Sequence, residues 1–152
     1  AWKGWVIMRA KCAFCRFGKD FNLIKSQFIT STKRIYIILT IAPQTPGHLL
    51  VIPRMHFDRL IDLPIDLQGE LFSVAIKMGE KLKNKLGAKA YVIKVNNELF
   101  KLEKDNKEHI GHIHLHVIPR YKDGEKLLNI PKVVSHVSSE SVRDQIIAKS
   151  GV

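Results

Sequence analysis

The feature that most constrains this chain is the segment Gly111-His112-Ile113-His114-Leu115-His116-Val117-Ile118-Pro119-Arg120. Histidine accounts for 7 of the 152 residues. At that frequency, three in one given i, i+2, i+4 register is about a one-in-ten-thousand event, so the row needs a reason. Strict alternation predicts a strand over His112–Pro119. His112, His114 and His116 then share one face in steps of about 6.8 Å, and Ile113, Leu115 and Val117 turn into a core. A solvated strand face is built more simply from Lys, Thr or Glu, so a row of imidazoles points to chemistry. One metal ion, with ligand bonds near ~2 Å, cannot take all three, because the outer pair lies about 13 Å apart along a regular strand. The three histidines must therefore divide their work.

The rest of the chain supplies an ordinary core. Hydrophobic residues make up 45% and charged residues 26%, as in a globular protein of one domain. No run of 18 apolar residues suggests a membrane span, and the apolar stretch at Trp5–Met8 is too short for a signal peptide. The expectation is therefore cytoplasmic. Residues 34–41 read as a buried strand and Ala42–Gly47 as a turn. His48–Ile52 reads as the returning strand of a hairpin. Leu67, Leu71, Val74, Met78, Leu82 and Leu86 recur at helical spacing. Asp62 or Asp66 is the candidate N-cap and Gly87 the candidate C-cap, while Gly69 and Gly79 weaken the helix interior. Ala90–Asn96 reads as a strand, residues 97–111 as a solvated loop, and residues 139–149 as a short helix.

Two further features carry chemistry. The 25 Lys and Arg against 14 Asp and Glu leave a formal charge of +11, which favours polyanions such as nucleotides or nucleic acid. The two cysteines, Cys12 and Cys15, have the Cys-x-x-Cys spacing. A metal site, a redox pair or two packed apolar thiols all fit it, although the redox reading calls for a βαβ context that is not evident.

The histidine row, with apolar residues between, resembles the signature of the histidine triad (HIT) superfamily. Pro46-Gly47-His48-Leu49-Leu50-Val51-Ile52-Pro53-Arg54-Met55-His56 is similar to that family's hairpin motif. Cys12-Ala13-Phe14-Cys15 resembles the N-terminus of its zinc-carrying branch. The resemblance covers about residues 11–121 and leaves a tail at 122–152, with 1–152 taken as a single domain. It implies an α+β fold: a five-stranded antiparallel sheet with one long and one or two short helices, paired into a homodimer.

The resemblance also implies a function. The chain would be a nucleotide hydrolase or nucleotidyltransferase acting at the α-phosphate of purine nucleotide derivatives or dinucleoside polyphosphates. His114 would be the nucleophile and His116 the second catalytic histidine, binding phosphate together with Asn96. Where relatives have a hydroxyl residue before the triad, this chain has Lys107-Glu108-His109-Ile110, which puts His109 in the phosphate position. Phe14, Phe17 and Ile38 would line the nucleoside. Thr40 stands where relatives have an acidic or amide group for the ribose. One structural zinc ion per chain would be held by Cys12, Cys15, His56 and His112, with His48 left as a packed histidine. A competing reading is a zinc-stabilised nucleotide- or nucleic-acid-binding module with weak or no catalysis; the charge mildly favours it and the intact His114 and His116 argue against it.

Overall fold

The structure is a computed structural model and describes residues 12–102, 111–123 and 136–148. Five antiparallel strands, β1 (Phe28–Ser31), β2 (Ile35–Leu39), β3 (Leu49–Pro53), β4 (Ala90–Val95) and β5 (Leu115–Arg120), form one sheet in the order β1-β2-β3-β5-β4. Three helices accompany it: α1 (Ala13–Lys19), the long α2 (Ile65–Leu86) and α3 (His136–Ile147). This is the α+β architecture expected, with one long helix and two short ones.

Every residue of β2 and β3 is buried, because both faces of the central strands are covered, so they read as continuous apolar runs rather than alternating ones. On one face Ile37, Leu39, Leu49, Val51, Leu115 and Val117 pack against Leu67, Leu71, Ala75, Met78 and Leu82 of α2, and Ile146 of α3 joins them. On the other, Tyr36, Ile38, Leu50 and Ile52 pack with Phe14 of α1 and Ile24. The Tyr36 hydroxyl donates to the Phe14 carbonyl at 2.6 Å, tying α1 to the sheet.

Cross-strand register runs one row through this second face. Phe28 pairs with Ile38, Ile38 with Leu50, Leu50 with His116, and His116 with Lys94. Directly paired residues point to the same side. The row is therefore apolar from the β1 edge inward and ends in an imidazole and an ammonium at the β4 edge.

Helix α2 begins at Ile65, with Pro64 in the N-cap position and no side-chain cap, so neither Asp62 nor Asp66 is the cap. Proline's fixed φ suits the site. Asp66 instead lies in the first turn and pairs with Arg34 at 2.8 Å. Gly87 closes the helix as expected. Gly79 is required by contact: a Cβ there would lie 2.4 Å from the Tyr91 ring.

Strand β5 starts at Leu115, three residues later than the alternation predicts. Hydrogen bonds outside the ladder claim the backbone groups before it. Ile113 N–H donates to the Phe57 carbonyl at 2.8 Å, and the His114 ring bonds to the carbonyl of residue 112. Strand β1 and helix α1 have no counterpart in the sequence expectation, and α3 begins three residues before it.

Gly47, at φ +91°, makes the turn that delivers His48, and a Cβ there would also meet Leu86 Cδ1 at 2.5 Å. Left-handed backbone costs an L-residue about 1–2 kcal/mol, so Gly47→Ala is expected to lose about 2 kcal/mol in urea unfolding. An unchanged midpoint would contradict this account of the turn.

Candidate active site and metal centre

The four candidate metal ligands come from three stretches of the chain. Cys12 caps α1 and receives the Cys15 N–H at 3.4 Å; Cys15 lies in the first turn. His56 follows β3, and His112 precedes β5. Their ligand atoms all lie within 4.8 Å of one another. Cys12 Sγ is 3.4 Å from His112 Nδ1, and Cys15 Sγ is 3.3 Å from His56 Nδ1 and 3.5 Å from His112 Nδ1. Tetrahedral zinc with two sulfur and two nitrogen ligands sets sulfur–nitrogen separations near about 3.5 Å, so the group has the right size.

The far nitrogens of the two histidines make the same point. His112 Nε2–H donates to the Pro53 carbonyl at 2.8 Å, and His56 Nε2–H donates to Asp58 Oδ1 at 2.6 Å. Each bond fixes the tautomer, so both Nδ1 lone pairs face the thiols, as a metal ligand requires. Burial pushes His112 down to about 4, keeping it neutral, with the Pro53 carbonyl opposing the shift. The four residues could hold one metal ion, and with four protein ligands that ion would have no open position for substrate.

The remaining histidines lie on the sheet face beside this centre. His114 Nδ1 is 2.7 Å from the carbonyl oxygen of His112. A carbonyl only accepts, so Nδ1 carries the proton and the lone pair of neutral His114 is on Nε2. A second relay fixes His116. Gln44 N–H donates to His48 Nδ1 at 3.1 Å, so His48 carries its proton on Nε2 and donates it to His116 Nδ1 at 2.9 Å. Neutral His116 then carries its proton on Nε2. The His114 and His116 rings lie 4.9 Å apart, one with a nucleophilic lone pair and the other with an N–H. That pair suits displacement at phosphorus: one ring attacks and the other donates.

His48 is buried, and burial, followed by the Lys94 charge and then His114, pushes it down to about 4. A folded value below the unfolded one means its stabilisation is complete above about pH 6.5 and is lost as pH falls toward 4. Comparing wild type with His48→Gln between pH 7 and 4.5 should therefore show the wild type losing about 2 kcal/mol more in urea unfolding. Parallel pH dependences would refute it.

The other expected residues are placed as follows. Phe14 is buried, with edge contacts to the His112 and His114 rings at 5.8 and 5.1 Å, so it wedges the two histidines in position. Phe17 is half-buried and Ile38 buried, both in the same apolar cluster. The Thr40 hydroxyl accepts from Ala42 N–H at 3.2 Å, and Thr40 lines a cavity of about 340 Å³ together with Ser138, Ser139 and Val142 of α3. Asn96 lies one residue beyond β4. Continued alternation from Lys94 puts it on the histidine face. His109 lies outside the described residues. The link from His48 to His116 and the support from Asp58 went unrecognised in the sequence. The only sequence signal for Asp58 is its place two residues after His56.

Comparison with known proteins gives the same result as the geometry. A family model described as the HIT domain matches residues 22–123. This chain belongs to the HIT family. The match begins after Cys12 and Cys15, so the cysteine half of the metal centre lies outside it. An adenosine 5'-monophosphoramidase of Saccharomyces cerevisiae is 29% identical over 119 residues, covering 78% of this HIT protein and 68% of the relative. A bifunctional bis(5'-adenosyl)-triphosphatase/adenylylsulfatase of Arabidopsis thaliana is 26% identical, covering 74% of this chain and 59% of the relative. Among solved structures, a zinc-bound histidine triad family protein from Mycobacterium smegmatis superposes with a TM-score of 0.69 at 28% identity, covering 90% of this chain and 93% of the other.

Proposed function

We propose that this HIT protein cleaves nucleotide derivatives at the α-phosphate through a nucleotidyl-histidine intermediate on His114. The observation that carries the reading is the pair of opposite tautomers on adjacent rings. His114 Nε2 attacks the α-phosphorus, a P–N bond forms, and the bond to the leaving group breaks. His116 Nε2–H supplies the leaving group's proton. Water then attacks the same phosphorus and gives its proton to His116. The P–N bond breaks, and a nucleoside monophosphate departs. The carbonyl of residue 112 stabilises the positive charge on the His114 ring through the Nδ1–H bond. Asn96 and His109 bind phosphoryl oxygens, and Ile38, Phe17, Phe14 and Thr40 border the nucleoside. Purine nucleotides are the favoured class, since two HIT relatives are named for adenosine compounds.

Zinc is the metal proposed for the four-residue centre, in a structural role. The whole chain acts as one domain, since Val142 and Ile146 of α3 pack into the α2-side core. We also propose a homodimer. Ile65, Phe72 and Ile76 are exposed apolar residues of α2, and among the described residues β4 is an edge strand of the sheet. Sedimentation at micromolar concentration should give about twice the 17.4 kDa chain mass. No helix among the described residues is long and apolar enough to cross a membrane, and we place the activity in the cytoplasm.

The mechanism is tested by rapid alkaline quench with an α-³²P-labelled adenosine substrate. Base-stable, acid-labile label should appear on the wild-type chain and be absent from His114→Ala. Label retained by the variant, or hydrolysis without any labelled protein at single turnover, would favour the binding-module reading or direct attack by water.

A further inference from the structure

Lys94 has no part in the site described so far, yet it is paired directly with His116 across β4 and β5. Directly opposed residues of an antiparallel pair place their Cβ atoms about 4.5–5.5 Å apart on the same face. The ammonium is near enough to His48, the partner of His116, to act on it electrostatically. It is exposed, and among the described residues no carboxylate forms an ion pair with it. The other charged strand residue on this side of the sheet edge has no comparable place, because Arg120 pairs with Ala90 at the far end of β4.

Direction comes from the row Phe28–Ile38–Leu50–His116–Lys94. Its apolar members run from the β1 edge to the sheet centre, and His116 and Lys94 follow at the β4 edge. For a nucleotide whose base lies toward the apolar end and whose α-phosphate lies at His116, the next position along this row is above Lys94. A strand-borne cation there meets a leaving group carrying negative charge and gains nothing from an uncharged amine.

We propose that Lys94 is a specificity-determining residue that binds the anionic portion of the leaving group, so that this chain favours substrates with a phosphate or comparable anion attached to the α-phosphate over those with an uncharged amine. This rests on the nucleotide-cleavage reading above and names its substrate class. The charge acts where negative charge develops as the bond to the leaving group breaks. It therefore contributes to the displacement step as well as to binding. Because the contact is solvent-accessible, it weakens with ionic strength.

The experiment has a turnover arm and a binding arm, both on the intact chain. The turnover arm measures kcat/KM for diadenosine triphosphate and for adenosine 5'-phosphoramidate with wild type, Lys94→Ala and Lys94→Arg. The ratio of the two values should fall about tenfold in Lys94→Ala and be largely restored in Lys94→Arg. An unchanged ratio overturns the proposal. The binding arm measures calorimetric affinities for adenosine diphosphate and monophosphate. The wild type should prefer the diphosphate about tenfold at low salt, and Lys94→Ala should lose that preference. A preference equal in the two proteins overturns the proposal even if the chain turns over neither substrate. In contrast, loss of the preference with no turnover anywhere supports Lys94 as an anion contact and counts against the cleavage reading alone.

Discussion

His114→Ala is expected to reduce turnover by about 10⁴-fold or more on every substrate the wild type accepts, the scale on which loss of a covalent nucleophile is measured elsewhere. Fold and nucleotide affinity should change little, since the ring is half-buried and belongs to neither apolar cluster. The size of the effect follows from the route. Without Nε2 no P–N bond can form, and the remaining groups can only bind and polarise the substrate. His116→Ala removes one donor and should cost less, on the order of 10²–10³ in kcat. The order of the two is the decisive result. If His116→Ala were the more damaging, the nucleophile would be assigned to the wrong ring. If His114→Ala kept wild-type turnover, covalent catalysis at this position would be wrong altogether.

Loss of the metal centre is expected to have the largest effect on stability. Protein purified without chelator should contain about one zinc per chain by elemental analysis. Cys12→Ala, or stripping of the wild type with a strong chelator, should lower the melting temperature by about 10 °C or more, because ligand binding free energy in such sites is folding free energy. The centre joins α1, the segment after β3 and the segment before β5, so its loss releases three stretches of chain together. Nucleotide affinity should fall less than stability does. A chelator-treated protein that melts where the loaded one does would remove the metal from this account, as would a native Cys12–Cys15 disulfide.

Much of this was legible from the sequence, for physical reasons that differ by element. The hairpin and α2 were visible because their cores repeat with the periods of strand and helix. The cysteine pair and the histidine row stood out because histidine and cysteine are rare enough for their spacing to carry information, whereas His56 and His112 entered as candidate ligands only through the resemblance to the HIT family. The short β1 was hidden: four residues, Phe28–Ser31, with an irregular register to β2, leave too little periodicity to stand out from a loop. Helix α1 was hidden because its seven residues are capped by Cys12, an unusual cap residue, and tied down by the Tyr36 hydroxyl through a tertiary contact. The late start of β5 was hidden because alternation cannot reveal that Ile113 N–H is claimed by Phe57. His48 looked like packing because its partner, His116, lies 68 residues away. Lys94 carries no signal in the sequence, and only the strand register sets it opposite His116.

Residue 112 contributes to the two centres through different parts of itself: its imidazole joins the thiols, while its main-chain oxygen sets the proton on His114. Every amino acid has that oxygen. The His114 tautomer is therefore indifferent to which side chain stands at 112, provided the peptide unit stays where it is. The histidine anchors that peptide, and another anchor of equal rigidity could take over the task. A descendant of this chain that replaced the four-residue centre with apolar packing of equal rigidity would keep the His114 proton on Nδ1.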